Sequence, residues 1–130
     1  MESIDELIKI VNLEKTVSKM CDFIKSEITN RFQRSGAVIG LSGGIDSAVS
    51  AALCTKALGS GNVLGLILPE KESDSSSQIH AEKLAKQLKI KSETVDITSI
   101  LDSFGVYRYK EEIIKSKFPR FNHNCKYRVV

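Results

Sequence analysis

Chemistry-bearing side chains and flexible backbone concentrate in one short stretch, Gly40-Leu41-Ser42-Gly43-Gly44-Ile45-Asp46-Ser47. Two adjacent glycines let the main chain take left-handed dihedrals and approach a ligand without a Cβ in the way. Ser42 and Ser47 offer hydroxyl donors, and Asp46 offers a carboxylate able to hold Mg²⁺ between protein and phosphate. The stretch lies between an apolar run, Ala37-Val38-Ile39, and a small-residue amphipathic run from Ala48 to Leu58. That context predicts strand, tight turn, helix. A helix opening at this point presents unpaired N–H groups and a partial positive charge, so the turn is suited to an anion. The combination points to a pyrophosphate-binding loop for ATP.

Other loops with similar composition fit less well. No Lys-Ser or Lys-Thr closes a G-x-x-x-x-G, so this is not a Walker loop. Gly59-Ser60-Gly61 precedes a predicted strand rather than following one, and reads as a helix stop instead of a dinucleotide fingerprint. Gly40 to Gly44 satisfies G-x-S-x-G, the nucleophile elbow of hydrolases, and Asp96 or Asp102 and then His123 follow in the matching order. An elbow needs earlier strands to build its sheet, however, and a single helical segment precedes Gly40. The plainest reading, with Ser42 and Asp46 only shaping and capping a turn, leaves the glycine pair and the second hydroxyl without a role.

The elements that position the loop follow from periodicity. Asn12 is the expected N-cap of a helix whose stripe, Leu13, Val17, Met20, Ile24 and Ile28, should pack on the sheet, with Cys21 as a small filler at its margin. Ile4 to Val11 is expected to form a short lead-in helix. The helix from Asp46 to Leu58 is expected to turn Val49, Leu53 and Ala57 to one side, with Ala48 and Ala52 beside them. Cys54 lies on it, with no sequence sign of activation. Asn62 to Leu68 is almost continuously apolar, as expected for a parallel strand covered on both faces.

Pro69 closes that strand, and Glu70 to Ser77 is a polar loop where α/β folds place ligand contacts. Lys71 is the candidate phosphate contact there. A helix from about Ser76 to Leu88 follows, buried along Ala81, Leu84, Ala85 and Leu88, with Ser75 and Gln78 as a capping box and His80 on the surface. Glu93 to Ile97 is the third expected strand, with Thr98 or Ser99 capping the turn toward Phe104. Three βαβ-type steps result. Tyr107 to Lys117 reads as a charged helix stopped by Pro119, and Cys125 to Val130 as a fourth strand. His123-Asn124-Cys125 is too sparse for zinc.

Composition sets wider bounds. The chain has 130 residues, enough for one compact domain burying about two-thirds of its unfolded surface. Its net charge of +3 suits a small anionic ligand and is too weak to argue for nucleic acid. Three cysteines without paired spacing point to a reducing compartment, and no apolar run approaches the ~18 residues of a membrane span. A cytoplasmic location is the resulting expectation.

Ser42-Gly43-Gly44-Ile45-Asp46-Ser47 resembles the S-G-G-x-D-S signature of the N-type ATP pyrophosphatases, the PP-loop superfamily. Val38 to Ala52, Val63 to Pro69 and Val95 to Phe104 are similar to the NAD synthases within it, the ammonia-dependent type lacking an attached glutaminase domain. The resemblance covers roughly Leu13 to Phe104. It implies a Rossmann-like α/β fold of the adenine nucleotide alpha hydrolase kind, a parallel sheet with helices on both faces. It also implies a ligase that uses ATP and Mg²⁺ to amidate deamido-NAD with ammonia through an adenylate, releasing AMP and pyrophosphate.

By the same resemblance Gly40, Leu41, Ser42, Gly43, Gly44, Ile45, Asp46, Ser47, Leu68 and Lys71 form the ATP site. Asp46 is then the metal ligand and the Leu68 backbone faces the adenine; no side chain acts as a nucleophile. The family is commonly dimeric, which makes a homodimer the expected assembly. In the family a longer second half carries a further metal carboxylate and much of the dinucleotide surface. Residues 1–130 are therefore expected to be a single domain, truncated at its C-terminus. Competing functions are a tRNA-modifying relative, an amide-forming enzyme for another carboxylate, and an ATP-binding module without full activity.

Overall fold

The computed structural model describes residues 12–118. The expected lead-in helix Ile4 to Val11, the Pro119 stop, the strand Cys125 to Val130 and the His123–Cys125 group lie outside the described residues. The chain divides into two compact units, Met1–Val95 and Asp96–Val130.

In the first unit the order is α1 (Leu13–Ser26), a π-helical turn (Glu27–Arg31), β1 (Ala37–Gly40), α2 (Ile45–Leu58), a 3₁₀ turn (Ser60–Asn62), β2 (Val63–Ile67), α3 (Ser75–Leu88) and β3 (Lys91–Thr94). The three strands form one sheet in the order β1-β2-β3, parallel throughout, which is the flanked α/β sheet the sequence predicts. Among the described residues two βαβ crossovers build it, where three such steps were expected. Register runs from Ala37 opposite Val63 to Gly40 opposite Leu66, and from Leu64 opposite Lys91 to Ile67 opposite Thr94. A Val95 N–H bond to the Ile67 carbonyl at 2.9 Å continues it.

The core sits where β2 meets α2 and α3. Alternation along β2 buries Val63, Gly65 and Ile67 on one face. Ala51 from α2 and Ala81 and Ala85 from α3 press against that face, with Leu41 and Ile90 closing the cluster. Their short side chains let both helices come close to the sheet. Val38 lies 65% exposed, and Leu64 and Leu66 are half-buried.

Helix α1 begins as predicted, the Asn12 side chain accepting from the Lys15 N–H at 2.9 Å. Its half-buried stripe, Val17, Cys21 and Ile24, packs chiefly on α2 rather than on the sheet. The face assignment of α2 changes accordingly. Ala51, Cys54 and Leu58 join the core, while Val49 and Ala52 are exposed. A helix packed on two sides has no single apolar stripe, so periodicity selects the wrong one.

Helix α3 starts at Ser75, not Ser76. Its cap is Asp74, whose carboxylate accepts from the Ser76 N–H at 2.9 Å, and Gln78 instead donates to Glu82. The predicted stripe Ala81, Leu84, Ala85 and Leu88 is the buried one. At the far end Lys89 takes a left-handed conformation and the Ile90 N–H returns to the Ala85 carbonyl at 3.1 Å, a Schellman-type closure. That closure drops Ile90 into the core and starts the third strand at Lys91 rather than at Glu93. All four β3 residues are exposed, as suits a charged strand at the edge of the sheet formed by the described residues.

The second unit contains α4 (Thr98–Ser103) and α5 (Val106–Lys117), joined through Gly105 at φ +70°. The N-cap of α4 is Ile97, without a side-chain cap bond, where Thr98 or Ser99 was the expected cap; one residue earlier, Asp96 accepts from the Thr98 N–H at 2.7 Å. No helix among the described residues is long and apolar enough to cross a membrane.

Gly65 is the tightest point of the core. A Cβ built there would lie 2.6 Å from Leu41 Cδ1 and 3.5 Å from Ile90 Cδ1. Gly65→Val overfills this space, and urea unfolding is expected to show a loss of about 1–3 kcal/mol.

Candidate functional site

The loop 40–47 is built from its two anchors inward. At the first, the Leu41 N–H donates to the Leu66 carbonyl at 2.8 Å and the Leu41 side chain is buried over Gly65. Leu41 therefore serves the site by holding the loop onto the sheet. At the second, Gly43 adopts φ +79°, and a Cβ there would collide with the Ser77 carbonyl of α3. Glycine is required on both counts, conformation and space.

Between the anchors the two serines brace each other. Ser42 Oγ and Ser47 Oγ lie 3.1 Å apart, and Ser47 Oγ donates to the Gly44 carbonyl at 2.9 Å. Ser42 Oγ in turn accepts from the Gly44 N–H, and Ser47 Oγ from the Ser42 N–H, both at 3.3 Å. Helix α2 starts at Ile45 behind Gly44, which gives no side-chain cap. Its first intrahelical bond runs from the Ala48 N–H to the Gly44 carbonyl at 3.1 Å. The amides of Ile45, Asp46 and Ser47 thus have no intrahelical acceptor. Ile45 is 75% exposed and Asp46 and Gly44 are exposed as well, so this helix end opens to solvent rather than into packed protein. An anion meeting it gains both donors and dipole.

A cavity of about 360 Å³ adjoins the loop, lined on one side by Leu41 and Ser42 and on the other by Leu68, Pro69 and the residues that enter α3. Its size falls within the usual ~300–1,000 Å³ of small-molecule sites. Leu68 lies in its wall; Lys71 is exposed and is not part of the lining. Gly40 ends β1 with open space where a side chain would be.

The sequence reading placed ligand contacts in the segment 70–77 without singling out Ser73, Asp74, Ser77 and Gln78, all of which line the cavity. The signal was present in the serine-rich run at the carboxyl end of a parallel strand. Asp74 is held below the usual carboxylate range by the Ser76 N–H and then the Ser76 hydroxyl. Its charge and that of Glu70 disfavour a polyanion at their wall, leaving the Leu41–Ser42 side, next in the chain to the α2 N-terminus, as the better side for an anion. Among the described residues no group of three or more His, Cys, Asp or Glu side chains is placed to hold a metal. Asp46 offers one hard oxygen donor set beside the anion site, which fits Mg²⁺ held jointly by a carboxylate and substrate phosphates.

Residues 16–130 match the family model described as NAD synthase. The chain belongs to the NAD synthase family. Curated relatives include the NH(3)-dependent NAD(+) synthetase of Methanococcus aeolicus, 48% identical over 99 residues, covering 76% of this chain and 39% of the relative. The enzyme of the same name from Mesorhizobium japonicum is 37% identical over 114 residues, covering 88% and 36%. The chain thus spans less than two-fifths of the length of these relatives.

Among solved structures, the NH3-dependent NAD synthetase of Campylobacter jejuni, in complex with the nitrate ion, is 41% identical with a TM-score of 0.67, covering 72% of this chain and 40% of its own. The NMN synthetase of Francisella tularensis is 30% identical with a TM-score of 0.69, covering 78% and 41%. The resemblance noted in the sequence is therefore membership, and the NAD synthase fold is the one observed.

Two measurements check the site. Gly43→Ala is expected to lower stability by at least ~1–2 kcal/mol in urea, from the left-handed conformation alone. The Asp74 carboxyl is lowered in the folded chain, so its capping contribution is full above the unfolded value of about 4 and is lost as pH falls through the lower folded value. The melting-temperature gap between the wild type and Asp74→Asn should accordingly shrink as the pH drops below about 4.

Proposed function

We propose that this chain carries the ATP-handling part of an NAD synthase: ATP-dependent amidation of deamido-NAD to NAD with ammonia as the nitrogen donor. The observation supporting it is the solvent-open N-terminus of α2, shaped by Gly43 and Gly44 and braced by Ser42 and Ser47, beside a cavity sized for a nucleotide. Membership of the NAD synthase family and the names of the relatives agree with it. In this proposal residues 1–130 work as one domain, in the cytoplasm and in a homodimer.

The acceptor carboxylate attacks the α-phosphate of ATP, the bond to the β-phosphate breaks, and pyrophosphate leaves. Ammonia then displaces AMP from the adenylate and loses a proton to give the amide. The amides of Ile45, Asp46 and Ser47 hold the leaving pyrophosphate, and a loop fixed beforehand needs little reorganisation as charge builds there. The hydroxyls of Ser42 and Ser47, hydrogen-bonded to each other and to the loop, keep these amides aligned and would donate to phosphate oxygens. Asp46 would hold Mg²⁺, which when bound neutralises charge on the departing pyrophosphate. The adenine end lies along Leu68, and Lys71 reaches a phosphate from the exposed loop.

A second acceptor has a specific observation behind it, the similarity to an NMN synthetase. Amidation of the corresponding mononucleotide acid would use the same ATP site. ATP–pyrophosphate exchange by this chain, with deamido-NAD, with nicotinic acid mononucleotide and with neither, separates these readings. Exchange dependent on deamido-NAD is expected. Exchange only with the mononucleotide transfers the assignment to that acceptor, and ATP binding without exchange leaves a nucleotide-binding module. Asp46→Ala is expected to cut exchange by about 100-fold with an unchanged circular dichroism spectrum; undiminished exchange would overturn the role given to Asp46.

A further inference from the structure

We propose that Cys21 and Cys54 are an oxidation-sensitive pair that forms a disulfide staple between α1 and α2. Both thiols are free and half-buried, and they are the two cysteines among the described residues. They lie on the two helices that pack most closely on each other in the first unit. Cys21 Sγ is 3.8 Å from the Leu53 carbonyl oxygen, and that carbonyl carbon is bonded to the Cys54 nitrogen. A disulfide needs Cα atoms about 4.4–6.8 Å apart; the contact of the Cys21 thiol with the carbonyl that precedes Cys54 places the two residues side by side across the helix pair.

The thiols differ in access. An open groove of about 540 Å³ between the helices is lined by Leu13, Val17, Cys21 and Lys56 together with Glu14 and Asp22. Cys21 forms part of this groove and Cys54 does not. Burial, and then the nearness of Cys21, push the Cys54 thiol up, so Cys54 is the slower nucleophile. The roles follow from this asymmetry. Cys21 thiolate attacks a small external disulfide, forming a mixed disulfide and expelling one thiolate. Cys54, giving up its proton to that thiolate, then attacks the Cys21 sulfur and expels the second. Two protein thiols are oxidised and one external disulfide is reduced to two thiols.

The staple matters because α2 carries the loop. Residues 45–47 open the helix on which Cys54 sits, so fixing α1 to α2 secures the support of the anion-binding end. The bridge is independent of which acceptor the enzyme uses.

The full chain carrying Cys125→Ser, which removes the remaining cysteine, is treated with excess oxidised glutathione at about pH 8 and digested with trypsin. The expected product is the peptide Met20–Lys25 joined to Ser35–Lys56, in monomeric protein, reversed by dithiothreitol. The melting temperature should rise by at least about 5 °C on oxidation. In Cys54→Ser on the same background, glutathione should remain on Cys21. Stable glutathione adducts without the joined peptide, bridges between chains, or failure of Cys21 to take any adduct in Cys54→Ser would each overturn the proposal.

Discussion

The site depends on one close approach of backbone to backbone, Gly43 of the loop against the Ser77 carbonyl of α3. Two helix N-termini are brought beside one cavity by that contact, because α2 starts just after Gly43 and Ser77 lies in the first turn of α3. A side chain at position 43 would hold them apart and would also meet the cost of a left-handed conformation. The opposite anchor, Leu41 buried over Gly65, fixes the same loop to the sheet by shape alone. One glycine makes room for backbone and the other for a side chain, and the loop is positioned between them.

What the loop then offers is electrostatic. Orphan amides at the start of α2 face solvent, and the two serine hydroxyls hold the turn by bonding to each other and to loop backbone. Such a turn is aligned before any ligand arrives, which is the property that makes fixed dipoles effective toward a developing negative charge. Asp74 and Glu70 make one wall of the cavity negative, and Leu41 and Ser42, which lead into the α2 N-terminus, form the other side. The energetics of the scaffold are modest by comparison. Its core is a small cluster of alanines and aliphatics around β2.

Family membership and geometry address different questions. The match over residues 16–130 establishes kinship with the NAD synthases, and the solved relatives share the observed fold. The fold is common to solved relatives described as an NAD synthetase and an NMN synthetase. A shared fold does not by itself name the acceptor, which must be read from the site's own groups.

The residues themselves determined the parallel α/β order, the loop 40–47 and the buried stripe of α3, because alternation, helical spacing and paired glycines are local signals. Only the tertiary structure decided which side of α2 is buried, that Leu41 acts as an anchor, that Asp74 rather than Ser75 caps α3, and that Ser77 meets Gly43. The third strand began two residues early because a Schellman-type closure at Lys89 turned the chain at once. Those facts rest on contacts between residues distant in sequence or on competition among neighbouring caps. A local pattern records what each segment can do, and packing selects which of those options the chain takes.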